Sequence, residues 1–150
     1  MTTKENSMSR TESSCLVMGE LGSAWLDTVS HAQTRFDQVV FVTQWEGESA
    51  AAFAHRSAEL AHRPRRFDQV VLCCNSRVDH AVLGARHLLA KLGMRLLSRD
   101  GGREFEFVCH SGRDSRVPAW AYELSQGMSE CDRSLNVVLT CDDESRERAA

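Results

Sequence analysis

Long apolar runs are missing from this chain of 150 residues, and nothing in it approaches the ~20 consecutive apolar residues that a membrane-spanning helix needs. The opening residues MTTKENSMSRTESS also lack the apolar core of a secretory signal, so a cytoplasmic location is expected. A surplus of positive charge is missing too. The formal net charge is -3, the basic residues are nearly all arginine and lie scattered, and phosphate neutralisation needs them clustered. No nucleic-acid partner and no membrane are therefore expected. The densest basic group, Arg63, Arg65 and Arg66, falls in a connection and reads as a solvated loop. There is no Cys-x2-Cys pair, so no metal is assigned, and seven helical residues separate His55 from His62 and His80 from His87, about 10.5 Å of rise. The six cysteines include the neighbours Cys73 and Cys74, which point to opposite faces of a strand. Most lie in or beside expected strands, where a reducing compartment keeps them as thiols.

What is present is a repeat. The hexapeptide RFDQVV occurs at Arg35–Val40 and again at Arg66–Val71, a separation of 31 residues, which is the length of one strand, one helix and their connections. Within it, Phe, Gln and the second Val are expected on one face and Asp and the first Val on the other. Around the repeat the pattern continues as alternating strands and helices. Cys15–Met18 is a candidate first strand, and Leu21, Trp25, Leu26 and Val29 follow at helical spacing. Phe36–Thr43 is the second strand, Gly47 breaks it, and Ser49 is suited to cap a helix that Pro64 stops. Phe67–Cys74 is the third strand. Ser76 then caps a helix whose apolar face is Val78, Val82, Ala85, Leu89, Leu92 and Leu96. After the turn Asp100-Gly101-Gly102 comes the strand Glu104–Cys109. A last helix carries Val117, Trp120, Ala121, Leu124 and Met128, with Asp114 or Ser115 as cap and Pro118 in its first turn. Leu135–Thr140 closes the series.

Near-continuous apolar strands between amphipathic helices predict an α/β fold, a three-layer α/β/α sandwich on a mainly parallel sheet of four to five strands, with Rossmann-like and flavodoxin-like orders both open. The expected organisation is a disordered polar tail over 1–13, one α/β domain over 14–142 and a charged tail over 143–150.

In such sheets ligands bind beyond the carboxyl ends of the strands. The residues there are Thr43 to Glu46, Cys74 to Arg77, Cys109 to Arg113, and Cys141 to Asp143. Caps and turn formers are needed at the same places whatever the function. The sharpest segment is VCHSGRDSR, Val108–Arg116, where a strand-end cysteine meets a glycine turn and a helix start. Backbone N–H groups with Arg113 and Arg116 would stabilise a thiolate or cradle an anion. Catalysis would rest on Cys109, and ligand binding on Ser111, Gly112, Arg113, Arg116, Asn75 and Ser76. The segment resembles the rhodanese active-site loop Cys-x-x-Gly-x-Arg-Ser, with Cys109, Gly112 and Ser115 on its Cys, Gly and Ser positions and Asp114 in place of its Arg. It is also similar to the Cys-x5-Arg loop of tyrosine phosphatases, where the count from Cys109 reaches Ser115. These resemblances imply a Cys-dependent sulfur- or phosphoryl-transfer enzyme, with Cys109 as nucleophile. Cys74, Cys109, His110 and Cys141 also form a soft-ligand set if they converge above neighbouring strands. For nucleotides, Gly19-x-x-Gly22-Ser23 lacks the third glycine of a dinucleotide fingerprint and the lysine of a P-loop.

With a nucleophile, base and orienting group nowhere complete, the leading expectation is a regulatory module that binds a small anionic ligand or a protein without catalysis. The transfer enzyme is the alternative, and a scaffold that assembles as a homo-oligomer through a sheet edge or helix face is a third reading. The sequence specifies no cofactor.

Overall fold

The two copies of RFDQVV flank one strand. The computed structural model of the protein describes residues 12–62, 65–99, 103–110 and 116–142. Five strands, β1 (Ser14–Gly19), β2 (Gln38–Thr43), β3 (Gln69–Cys74), β4 (Glu104–His110) and β5 (Asn136–Asp142), form one sheet of order β2-β1-β3-β4-β5 with every neighbour parallel. This is the flavodoxin-like order, so the Rossmann-like alternative drops out. The helices are α1 (Trp25–Gln33), α2 (Ala50–Ser57), α3 (His80–Leu96) and α4 (Ala119–Cys131), and a 3-10 segment, Ala58–His62, extends α2.

β2 and β3 lie on either side of β1, and each begins at the glutamine of its copy. The preceding aspartates hold the start of β1 between them. Asp37 accepts from the Ser13 N–H at 3.1 Å, and Asp68 accepts from the Ser14 N–H at 2.8 Å. Ser13, the last residue of the expected tail, is thus bonded to Asp37.

The copies are offset by one residue across β1. Cys15 pairs with Val39 on one side and with Gln69 on the other, so equivalent residues face opposite sides of the sheet. Val39 packs with Cys15, Val17, Val71 and Cys73 beneath α1. Val70 packs with Leu16, Leu72, Phe105 and Leu89 beneath α2, α3 and α4. The expected alternation also fails at the phenylalanines. Phe36 joins the cluster of Val39 and Phe67 that of Val70, because both lie before their strands begin, where a strict two-residue period does not apply. Cys73 and Cys74 do diverge, one into each cluster.

Two of the four helices start at side-chain caps. Ser49 Oγ accepts from the Ala52 N–H at 3.1 Å, as expected. The third helix is capped by Asp79, which accepts from the Val82 N–H at 3.0 Å, and not by Ser76. Asn75 Oδ1 takes the Arg77 N–H at 2.9 Å, a local turn that delays the helix and leaves Val78 exposed, outside the apolar face. Pro118 is the residue before α4 and not part of its first turn. The expected caps Asp114 and Ser115 lie outside the described residues, as do Pro64, the turn at 100–102 and the tails at 1–11 and 143–150. At Gly93 the backbone of α3 comes so close to Phe105 and Val70 that a Cβ would overlap them.

Layering is uneven. Among the described residues α1 alone packs on its face, while α2, α3 and α4 share the other. The remainder of the α1 face, over β4 and β5, is polar: Glu106 accepts from Thr140 Oγ1 at 2.6 Å, Glu104 from Asn136, and Gln69 donates to both carboxylates.

Because Ser14 is buried and Asp37 is exposed, the two repeat aspartates should not weigh equally. Asp68→Ala leaves a buried N–H without its acceptor and is expected to cost about 1–3 kcal/mol, whereas Asp37→Ala should cost less than ~1 kcal/mol. Urea unfolding followed by circular dichroism reads both. Equal losses would contradict the assigned roles.

Candidate functional site

The point where strand order reverses, between β1 and β3, is where this fold class opens a crevice. Here a buried ion pair closes it from below. Glu20 follows β1 and is 5% exposed; Arg86 stands in the middle of α3 and is 0% exposed. The contact is bidentate, with Arg86 Nε donating to Glu20 Oε2 at 2.7 Å and Nη2 to Oε1 at 2.8 Å. Arg86 Nη2 also donates to the carbonyl and Oδ1 of Asn75, each at 3.1 Å. Asn75 in turn donates its N–H to Glu20 Oε1 at 2.8 Å and its Nδ2 to the Leu21 carbonyl at 2.9 Å. Arg86 Nη1 has no hydrogen-bond partner among the described residues, but the guanidinium carbon lies 4.4 Å from the ring centre of Trp120, a cation–π contact. Burial opposes the arginine's charge, but the Glu20 hydrogen bonds together with the charge of Glu20 and the neighbouring Cys74 and Cys109 thiols outweigh it, so its pKa is raised.

Above this frame lies a crevice of about 500 Å³. Its floor is apolar, from Phe53 on α2 and Val82, Ala85 and Leu89 on α3, with exposed Ala81 at its mouth. Its rim is acidic, with Glu48 and Asp79 against Arg77, and each carboxylate is engaged, as is that of Glu20 beneath. Glu48 accepts from Arg56 Nε at 2.9 Å and from the Trp45 N–H at 3.0 Å, and the Arg56 hydrogen bond holds its carboxyl below the usual range. Arg56 lies 3.8 Å over the Trp45 ring. Asp79 caps α3 and pairs with Arg77 at 2.9 Å, and the Val82 N–H lowers its pKa.

The turn after β1 directs its donors inward. The Glu20 N–H goes to the Cys73 carbonyl at 3.0 Å, the Leu21 N–H to Gln44 Oε1 at 2.9 Å and the Ser23 N–H to the Glu20 carbonyl at 3.1 Å. Counted from Gly19 in a P-loop frame, Ala24 and Trp25 stand where the second glycine and the lysine belong. A Cβ on Gly19 would overlap Trp25, so the indole fills the space beside the strand end. A carboxylate and a tryptophan thus occupy ground on which a phosphate needs N–H groups and a cation.

A second crevice, about 350 Å³, adjoins the first at Asn75 and is lined by Asn75, Ser76, His110, Arg116 and Trp120. It brings together three of the expected binding residues, Asn75, Ser76 and Arg116. Ser111, Gly112 and Arg113 lie outside the described residues. Cys109 is not at the surface of either crevice. It is 1% exposed, in the core with Phe107 and Leu89. Burial pushes its thiol up to about 12; Arg86 pulls it down, and Cys141 and Glu20 push it further up. That is the opposite of the low pKa that the nucleophile reading requires, and the cause is desolvation. β4 continues through His110, so the Cys109 and His110 side chains leave opposite faces.

Cys74, Cys109 and Cys141 do fall in one row, pairing across β3, β4 and β5 on the same face. Cys74 is fully buried and its thiol is raised well above its usual value by burial. Cys141 is half-buried, with Sγ 3.8 Å from the Arg116 carbonyl. Among the described residues no group of His, Cys, Asp or Glu is arranged to hold a metal. Glu20 and Arg86, the centre of the site, were missed in the sequence reading. The legible signal was Arg86 itself, an arginine inside the apolar stripe between Val82 and Leu89 at helical spacing.

Thiol reactivity follows directly from this burial. At pH 7.5 a thiol with a pKa near 12 is thiolate to only about one part in 10⁴ to 10⁵. Iodoacetamide on the native protein should modify the exposed Cys131 promptly, and Cys15, Cys73, Cys74 and Cys109 only after unfolding. Mass spectrometry showing Cys109 labelled as fast as Cys131 would restore the nucleophile.

No family model matches the chain, and no curated protein matches it. Among solved structures, the signal recognition particle receptor SRβ from Chaetomium thermophilum, with GDP and Mg, is similar over 93% of this chain and 96% of that one, at 12% identity and a TM-score of 0.48. A likeness of that depth says nothing about what this chain binds.

Proposed function

We propose that the protein is a non-catalytic, regulatory binding module of the cytoplasm, whose site is the crevice above Glu20, Asn75 and Arg86. One observation carries this reading. The carboxylates of the rim are committed to protein donors while the floor is apolar, so the crevice is suited to hold a shape and not to move protons or accept an anion. The occupant that fits is uncharged and partly apolar, either a small molecule or an apolar side chain from a protein partner. This replaces the small anionic ligand expected from the sequence, because Glu20 and the inward-turned N–H groups stand where an anion would sit. A cytoplasmic setting is supported by the free thiols. No helix among the described residues is long and apolar enough to cross a membrane.

Two probes test the reading together. Nile red, an uncharged apolar dye, should bind with micromolar affinity, and Ala81→Trp, which fills the crevice from the exposed side of α3, should weaken it at least ~10-fold, about 1.4 kcal/mol. Magnesium GDP at 1 mM should leave the melting temperature within about 1 °C, whereas a ligand at 100 times its Kd would add about 2.7 kcal/mol. Dye binding unaffected by Ala81→Trp, or a clear nucleotide shift, would overturn the proposal.

A further inference from the structure

We propose that β2 is an interface with a second copy of this chain, formed by antiparallel pairing of the two β2 edges about a two-fold axis at Phe41. Among the described residues β2 pairs with β1 alone. Its Gln38 N–H goes to the Ser13 carbonyl, and the Gln44 N–H just beyond the strand goes to the Gly19 carbonyl. Alternation along a strand therefore turns the N–H and carbonyl groups of Val39, Phe41 and Thr43 away from the sheet, where Arg56 Nη2 already donates to the Thr43 carbonyl at 2.6 Å. Two such edges related by a two-fold axis through Phe41 oppose Phe41 to Phe41, a hydrogen-bonded pair, and Val39 to Thr43, whose carbonyl accepts from the copy's Val39 N–H on the lone pair that Arg56 leaves.

Side chains and charges favour a copy as the occupant. The strand Gln38-Val39-Val40-Phe41-Val42-Thr43 holds no charge, proline or bulge, the usual guards of an edge. Phe41 is 50% exposed and stacks on Trp25 with ring centres 5.9 Å apart, so the two-fold brings both aromatic pairs together on one face. Beyond the ends of the strand, exposed Arg35 and Arg65 lie at the Gln38 end and exposed Glu46 beyond the Thr43 end. Antiparallel pairing sets each copy's arginines beside the other's Glu46, twice over. The Gln38 end also holds exposed Asp37, bonded to Ser13, and Glu12, which accepts from Gln38 Nε2 at 2.7 Å. At the opposite edge, Asn136 and Thr140 of β5 bond back to Glu104 and Glu106 of β4.

Light scattering on the full chain across the micromolar range tests the proposal independently of the crevice, since Phe41 does not line it. The expected result is a concentration-dependent dimer that Phe41→Lys converts to a monomer at every concentration with unchanged circular dichroism. A second variant covers failure of the first to fold. In a Cys131→Ser, Cys141→Ser background, Phe41→Cys should oxidise to a dimer linked at position 41, because Cα atoms of such a pair lie about 5.5 Å apart, within disulfide reach. A parent protein that stays monomeric throughout, a dimer that survives Phe41→Lys, or peptide maps without the position-41 link would overturn it.

Discussion

The buried pair of Glu20 and Arg86 is the constraint around which the carboxyl end of the sheet is arranged. Removing two charges from water costs several kcal/mol each, and only close bidentate contact with further hydrogen bonds offsets that. The chain supplies both. Arg86 crosses from α3 to the turn after β1, and Asn75 at the end of β3 ties the same carboxylate to its own backbone. Three elements that meet at the reversal of strand order are thereby fixed to one another. Trp120 on α4 brings a fourth to the guanidinium. The crevice above takes this network as its wall, and the Glu20, Leu21 and Ser23 N–H groups of the turn after β1 are committed to protein acceptors.

Much of the architecture was legible because it rests on local periodicity and on a copied segment. The RFDQVV repeat marked two strands that do flank a third, and its aspartates serve the same purpose in both places. What the repeat did not disclose is the one-residue offset across β1, since register is set by pairing partners and by the turns between them, not by the strand's own letters. The start of α3 was misplaced for a similar reason. Ser76 is a good cap by composition, but Asn75 is committed to Arg86, Glu20 and the Arg77 N–H, and the chain must complete that turn before it can coil.

The candidate site was less legible. Strand-end position pointed to Asn75, Ser76 and Arg116, which do share a crevice, yet reactivity depends on exposure, and no local pattern announced that Cys109 lies under α3 and α4. Its environment reverses the chemistry suggested by the residues that follow it. Arg86 was readable in principle, as a charge within an apolar stripe, but its partner Glu20 lies 66 residues away and only the fold brings them together. The same division holds at the edges. Which strands lie at them is visible only once strand order is known.

A double-mutant cycle on Glu20→Met and Arg86→Met tests the central constraint most directly. Each single change strands the other charge in the core and is expected to cost about 3–5 kcal/mol, while the double change, which leaves two apolar side chains of similar volume, should cost less than either. Single losses that simply add in the double variant would show that the two side chains act independently, and the ion pair would not be what holds the carboxyl end of the sheet together.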